Sequence, residues 1–139
     1  MKQRNIHGVW DMSFENHCLH CRFTGATNES AANAWFDDMK HHVLSSPDKG
    51  KLPWVILSDM REWGISSLDA WDKNNENAEW MMKHGCIYIS MVFSKKLQKF
   101  SVEQGFNNLQ PFQFFSDYDE AKQSCIDKLA SIHSVPPSS

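Results

Sequence analysis

The stretch that decides the fold is Pro53–Leu68, PWVILSDMREWGISSL. Its four consecutive apolar residues, Trp54–Leu57, predict a strand buried on both faces, as in a parallel sheet with helices on either side. We expect this third strand to end near Ser58 and a polar loop to follow it. A helix then begins at Ser66 or Ser67. In open α/β folds such a strand-to-helix junction holds the binding site, so the stretch predicts where a site lies without naming its chemistry.

The rest of the chain predicts a hairpin followed by repeated strand–helix units. Alternation at Trp10–Glu15 indicates a half-buried antiparallel strand, and Asn16 and His17 turn it into a second strand that ends at Thr24–Gly25. The later elements are helices near 28–43, 67–84, 95–104 and 117–132, and strands at 54–58, 86–93 and 112–115. This order predicts an α/β single domain. Its mixed sheet has about five strands, with an N-terminal antiparallel hairpin, a parallel centre and four helices. We expect the domain to span 1–132 and residues 133–139 to form a flexible tail.

Composition excludes several classes of protein. The chain has 139 residues, of which 41% are hydrophobic, and a net charge of −3. No basic stripe is present, so nucleic acid is not an expected partner. No apolar segment reaches the length of a membrane span, and the start MKQRNIHGVWDMSFEN has no apolar run before a cleavage site. We therefore expect a cytoplasmic protein without integral membrane association.

The four cysteines do not predict a metal site. Cys18 and Cys21 have the C-x2-C spacing within HCLHC, but a zinc site needs a second ligand pair, and Cys86 and Cys125 are isolated. Strand alternation also points Cys18 and Cys21 to opposite faces. We expect one of these two thiols to be buried and the other exposed.

Nearly the whole chain, from about Ile6 to Ile132, resembles the SpoIIAA-like group of the STAS superfamily. The resemblance rests on the N-terminal hairpin, on WVILSDMREWGISSLDAW, on the strand CIYISMVF and on the ending PFQFFSDYDEAKQSCIDKLAS. STAS domains take their name from sulfate transporters and anti-sigma-factor antagonists, and the SpoIIAA-like group is also likened to the lipid-carrying CRAL-TRIO fold. The resemblance implies a non-catalytic binding or regulatory domain.

The resemblance also implies a candidate phosphorylation site. In the antagonist proteins a serine at the start of the helix after the third strand is phosphorylated, within an Asp-Ser-Ser/Ala-Gly type sequence. That pattern places Ser66 at the Asp and Ser67 at the phosphorylated serine. The Asp and the following Gly are missing, since Leu68 and Asp69 come next. The alternative, which we favour, is that Ser66 or Ser67 only caps the helix.

Three further residues of the junction are candidates for ligand or partner binding. Asp59 follows the carboxyl end of the strand, Arg61 is suited to an anionic group, and Trp63 is suited to an apolar one. The alternative, again favoured, is that Asp59 and Arg61 form a surface ion pair while Trp63 folds back onto the core.

Three functions remain open from the sequence. The first is a domain that binds a protein partner through 59–68, and an exposed aromatic patch at Trp63 would favour it. The second is a carrier of a small apolar or anionic molecule or a lipid, with Trp71 and its helix covering an apolar pocket of roughly several hundred Å³. An enzyme ranks last, because no catalytic motif, cofactor motif or metal-ligand set is present. A homodimer is left open, with Trp63, Trp80 and Phe106 as its candidate face.

Overall fold

The five strands lie in the sheet in the order in which they occur in the chain. The computed structural model describes residues 9–106 and 111–133. Within them the strands are β1 (Val9–Glu15), β2 (Cys18–Thr27), β3 (Trp54–Ser66), β4 (Cys86–Val92) and β5 (Phe112–Phe115). β1 runs antiparallel to β2, and the other neighbouring pairs are parallel. The predicted mixed sheet, with its N-terminal hairpin and parallel centre, is confirmed.

Four helices cover the two faces of this sheet. They are α1 (Glu29–Leu44), α2 (Leu68–Lys83), α3 (Lys96–Gly105) and α4 (Tyr118–His133). α1 and α2 pack on one face, where Met39 and Met81 join the larger core cluster. α4 packs on the other face through Ala121 and Cys125. Since α4 includes His133, the predicted tail loses its first residue to the helix, and 134–139 lie outside the described residues.

Local sequence signals account for most turns and helix ends. Asn16 and His17 have φ of 52° and 63°, the left-handed pair that a two-residue type I′ hairpin turn requires. Asn28 caps α1 by accepting a hydrogen bond from the Ala31 N–H at 2.9 Å. Gly85 follows the end of α2 with φ of +98°, the left-handed conformation that glycine adopts readily. At the start of α4, the Asp117 carboxylate accepts a hydrogen bond from the Glu120 N–H.

β3 is longer than predicted. The segment 59–66, which the sequence suggested as a polar loop, continues the strand to Ser66. It pairs with the extended end of β2, up to Thr27 opposite Ser66, whereas β4 pairs with β3 only as far as Asp59. The extension therefore has one hydrogen-bonded neighbour, which explains why its sequence is polar.

The buried face of α2 is not a simple apolar stripe. Helical spacing relative to Trp71 predicts Leu68 and Met82 on the inner face, but they are 80% and 46% exposed. The buried positions are Ala70, Asn77, Ala78 and Met81. The inner face therefore includes an asparagine, which the hydrophobic pattern alone does not reveal.

Both hairpin cysteines are buried, so the expectation of one exposed thiol is wrong. They do point to opposite faces: Cys18 packs in the cluster under α4, and Cys21 accepts a hydrogen bond from Trp35 Nε1 at 2.9 Å. The reason is that helices cover β2 from both sides, as they cover β3. Cys86 and Cys125 are core residues, 4% and 2% exposed.

Candidate binding site

The extension of β3 contains two β-bulges. In the segments 59–62 and 63–66, β3 has one residue more than the paired part of β2. A bulge resets the alternation of side chains between the two faces of a sheet. As a result Met60 and Trp63, three positions apart, both lie in the core beneath α1 and α2.

Asp59 and Arg61 form a close ion pair on the α4 side of the sheet. Arg61 Nη2 lies 2.7 Å from Asp59 Oδ2, and Arg61 Nε lies 2.9 Å from Oδ1. These hydrogen bonds lower the pKa of Asp59 against the opposing effect of burial. The guanidinium also lies 5.4 Å from the centre of the Tyr118 ring. The ion-pair interpretation of these two residues is confirmed, and they line a polar cleft of about 410 Å³.

Trp63 folds back onto the core. It is 4% exposed, and its indole N–H donates to the Thr27 hydroxyl at 3.3 Å. Its ring meets Trp71 edge-on, with 6.2 Å between the ring centres. The favoured interpretation of Trp63 is therefore confirmed, and the exposed aromatic patch that would have favoured partner binding is not formed by this residue. Trp80 and Phe106 are partly buried against the core cluster, so the three rings are not exposed together and do not support the candidate dimer face.

The junction between β3 and α2 is tied to the junction between β2 and α1. The Thr27 and Ser66 hydroxyls are hydrogen-bonded to each other, and the Ser67 N–H donates to the Thr27 carbonyl at 2.9 Å. Within the second bulge, just before this contact, Ile65 has φ of +86°. A β-branched residue rarely adopts that conformation, so the contacts around it hold strained backbone in place.

Ser67 is the N-cap of α2. Its Oγ accepts a hydrogen bond from the Ala70 N–H at 3.4 Å, and its hydroxyl donates to the Asp69 carboxylate. The capping role that we favoured from the sequence is confirmed. Ser67, Leu68 and Asp69 are all exposed. We call Thr27 with residues 66–69 the helix-start surface.

A cavity of about 100 Å³ lies between α2 and the sheet. Five aromatic rings line it, from Phe23, Trp35, Trp63, Trp71 and Phe106, together with hydroxyl groups of Thr27, Ser58 and Ser66. No charged side chain of the described residues lines it. The pocket predicted under the second helix therefore exists, but it is smaller than the several hundred Å³ that we set for a carrier.

Asn77 projects its polar group into this apolar setting. It is 3% exposed, it lines the cavity, and its Nδ2 is a buried donor without a hydrogen-bond partner. The hydrophobic pattern of the sequence does not single out this residue. Its position seven residues after Ala70, on the same helical face, was the available signal.

Gln98 is a second residue that the sequence did not reveal. Its side-chain oxygen accepts hydrogen bonds from the N–H groups of Ser94 and Lys95, at 2.9 and 3.0 Å, and so caps the start of α3. It also donates to the carbonyls of Arg61 and Trp63, at 3.2 and 2.9 Å. One buried amide thus holds α3 against the extension of β3.

The predicted site residues divide into two groups on opposite sides of the sheet. Asp59 and Arg61 line the polar cleft near α4, whereas Trp63, Ser66 and Trp71 line the cavity near α2. Ser67 lies on the surface beside the cavity group. The six residues therefore do not form one site, because the first bulge turns the chain from one face to the other.

The described residues contain no group of three or more histidine, cysteine or acidic side chains placed to hold a metal ion. In that same part of the chain, no helix is long and apolar enough to cross a membrane.

Comparison with solved structures identifies the fold. A protein of the DUF3478 family with a SpoIIAA-like fold, from Shewanella loihica PV-4, is similar with a TM-score of 0.60 and 18% identity, over 90% of this chain and 98% of that one. The chain has a SpoIIAA-like fold. An anti-sigma factor antagonist from Mycobacterium paratuberculosis is similar with a TM-score of 0.55 and 10% identity, over 86% and 95% of the two chains. No protein-family model matches the sequence, and no curated protein does. The SpoIIAA-like resemblance in the sequence is confirmed for the fold.

Proposed function

We propose that this chain is a non-catalytic, STAS-like binding or regulatory module that binds a protein partner through the helix-start surface. The observation that carries the proposal is Leu68. It is 80% exposed, more than any other large hydrophobic side chain among the described residues. It lies at the first position of α2, between the exposed Ser67 and Asp69.

The surroundings of Leu68 support a docking role. The first N–H groups of a helix have no acceptor within the helix, so the start of α2 offers donors beside an apolar side chain. The hydrogen bonds to Thr27 keep this surface in one arrangement, which lowers the entropy lost on binding. A partner with an apolar pocket rimmed by hydrogen-bond acceptors fits it. The fold neighbour that is an anti-sigma factor antagonist adds support, since its name describes action on another protein.

Site-specific photo-crosslinking in cells tests this proposal. A benzophenone side chain at position 68 should give a discrete covalent adduct with one protein, identified by mass spectrometry. The matched control is the same group at position 126, because Ile126 is 48% exposed on α4 on the other side of the sheet. No adduct at position 68, or the same adduct at both positions, would contradict docking at the helix-start surface.

Phosphorylation of Ser67 is the regulatory form of this proposal. A phosphate here would be favoured by the N-terminus of α2 and opposed by the carboxylate of Asp69, to which the hydroxyl now donates. Intact mass spectrometry of the protein purified from cells would show the added phosphate, and Ser67→Ala would remove it. A phosphorylated form that persists in Ser67→Ala would rule out this residue.

A second candidate function is small-molecule binding in the cavity under α2. The observation that favours it is the unpaired Nδ2 of Asn77, buried in an apolar wall. The volume of about 100 Å³ favours a small molecule over a lipid chain, since ligand pockets usually measure about 300–1,000 Å³.

A further inference from the structure

Asn77 places a polar amide at a buried position where an apolar side chain would make the fold more stable. A buried donor without a partner costs stability, and an apolar residue of similar size would avoid that cost. The neighbouring Asn75, two positions earlier on α2, has its amide satisfied by the Gly105 carbonyl at 2.9 Å. The unpaired amide is therefore a property of position 77, on the face of α2 that lines the cavity.

The cavity restricts what can satisfy that amide. No charged side chain of the described residues lines the space, so a charged ligand would lose its hydration without gaining an ionic partner. The aromatic walls, including Trp63 and Trp71, suit an apolar body. The Nδ2 group is a donor and therefore needs an acceptor such as a carbonyl oxygen.

The volume of the cavity restricts the size of the ligand as well. A cavity of about 150 Å³ lined by apolar residues holds one benzene molecule. The volume of about 100 Å³ here corresponds to a ligand of similar or slightly smaller size.

We propose that the cavity binds a small uncharged organic molecule whose carbonyl-type oxygen accepts a hydrogen bond from Asn77 Nδ2 and whose apolar part packs against Trp63 and Trp71. This inference rests on the second candidate function and names its ligand class. It is independent of docking at Leu68. Asn77 acts as the residue that selects for an acceptor.

A matched pair of probes tests the selectivity. Cyclopentanone carries a carbonyl oxygen, and methylenecyclopentane has the same shape with a carbon atom in place of that oxygen. Each is titrated into the full chain while the side-chain amide signals of Asn77 and the indole N–H signals of Trp63 and Trp71 are followed by NMR. We expect the ketone to bind about tenfold more tightly, since only the ketone satisfies the buried donor.

Two variants separate Asn77 from its surroundings. Asn77→Leu should abolish the preference for the ketone while keeping affinity for the alkene. Asn74→Leu is the matched control, because Asn74 lines the same cavity from the same helix, and this variant should keep the preference. A preference that survives in Asn77→Leu would overturn the assignment to that amide.

The titration of the wild-type protein tests selection for an acceptor separately from small-molecule binding itself. Equal affinity for the two probes would overturn the selection for an acceptor and leave small-molecule binding in place. No shift of the Trp63, Trp71 or Asn77 signals with either probe would overturn both.

Discussion

At the scale of single residues, two buried polar side chains differ in whether their polar atoms have hydrogen-bond partners. Asn77 is a buried donor without a partner, whereas Asp59 is a carboxylate whose two oxygens are both held by Arg61. Removing the polar group should therefore raise stability at the first position and lower it at the second.

Asn77→Leu is expected to stabilise the ligand-free protein by about 1 kcal/mol, since it removes an unsatisfied buried amide and adds apolar contact. The measurement is the free energy of unfolding in urea. Asn75→Leu, on the same helix, should destabilise the protein, because it breaks the hydrogen bond to Gly105. If both variants destabilise equally, the Asn77 amide is paired in solution.

The Asp59–Arg61 pair gives a pH-dependent prediction. Hydrogen bonds from Arg61 lower the pKa of Asp59 in the folded state, so the carboxylate stabilises the fold above its unfolded pKa of about 3.9. That contribution is lost as the pH falls through the lower folded value. Asp59→Asn should therefore be less stable than wild type at about pH 7, and the difference should shrink towards about pH 2.

Urea unfolding at a series of pH values measures this effect. Asp72→Asn, which removes an exposed carboxylate from α2, is measured in parallel to show the effect of charge removal alone. A stability difference between Asp59→Asn and wild type that stays constant from neutral to acid pH would contradict the prediction.

At the scale of elements, Gln98 makes most of the side-chain hydrogen bonds that join α3 to β3, and Ser94 adds one to the Arg61 carbonyl at 2.8 Å. Gln98 is 2% exposed and makes four hydrogen bonds, two to the start of α3 and two to carbonyls of β3. Gln98→Ala should cost about 3 kcal/mol of unfolding free energy, because several buried backbone groups lose their partner.

Gln104→Ala is the control for this prediction, since Gln104 is exposed on the same helix and its loss should change stability by less than about 0.5 kcal/mol. Hydrogen exchange should also become faster at the Lys95 amide in Gln98→Ala alone. Similar effects of the two variants would show that Gln98 is not the link between α3 and β3.

The elements also show what the sequence could and could not predict. β5 was predicted to the residue and the hairpin nearly so, because their patterns and turn residues are local signals. The extension of β3 was missed, because its two bulges break the alternation that identifies a strand and because it has a neighbour on one side only. For the site, Ser67 as a cap is again a local signal, whereas the pairing of Ser66 with Thr27 depends on chain segments 39 residues apart.

At the scale of the whole molecule, burial of all four cysteines makes a simple prediction. Burial raises the pKa of Cys21, and a hydrogen bond with Cys125 together with burial raises that of Cys18. The hydrogen bond with Cys18 lowers the pKa of Cys125, so protonation alone does not protect every thiol. All four sulfur atoms are buried, however, and a reagent in solution cannot reach them while the protein is folded. The folded protein should react slowly with Ellman's reagent, and all four thiols should react quickly in urea. A thiol that reacts quickly in the native state would contradict the burial of the hairpin cysteines.

The placement of α4 has a consequence for folding during synthesis. Among the described helices, only α4 contributes to the apolar cluster around Val55, Leu57 and Val92, and it is the last of them to be synthesised. Domains generally fold as units, so the strands and helices α1 and α2 leave the ribosome before the helix that completes their packing. The face that α4 covers stays exposed until α4 has emerged. A chain truncated before Tyr118 would leave that apolar surface exposed. The exposed surface would then bind chaperones or promote aggregation.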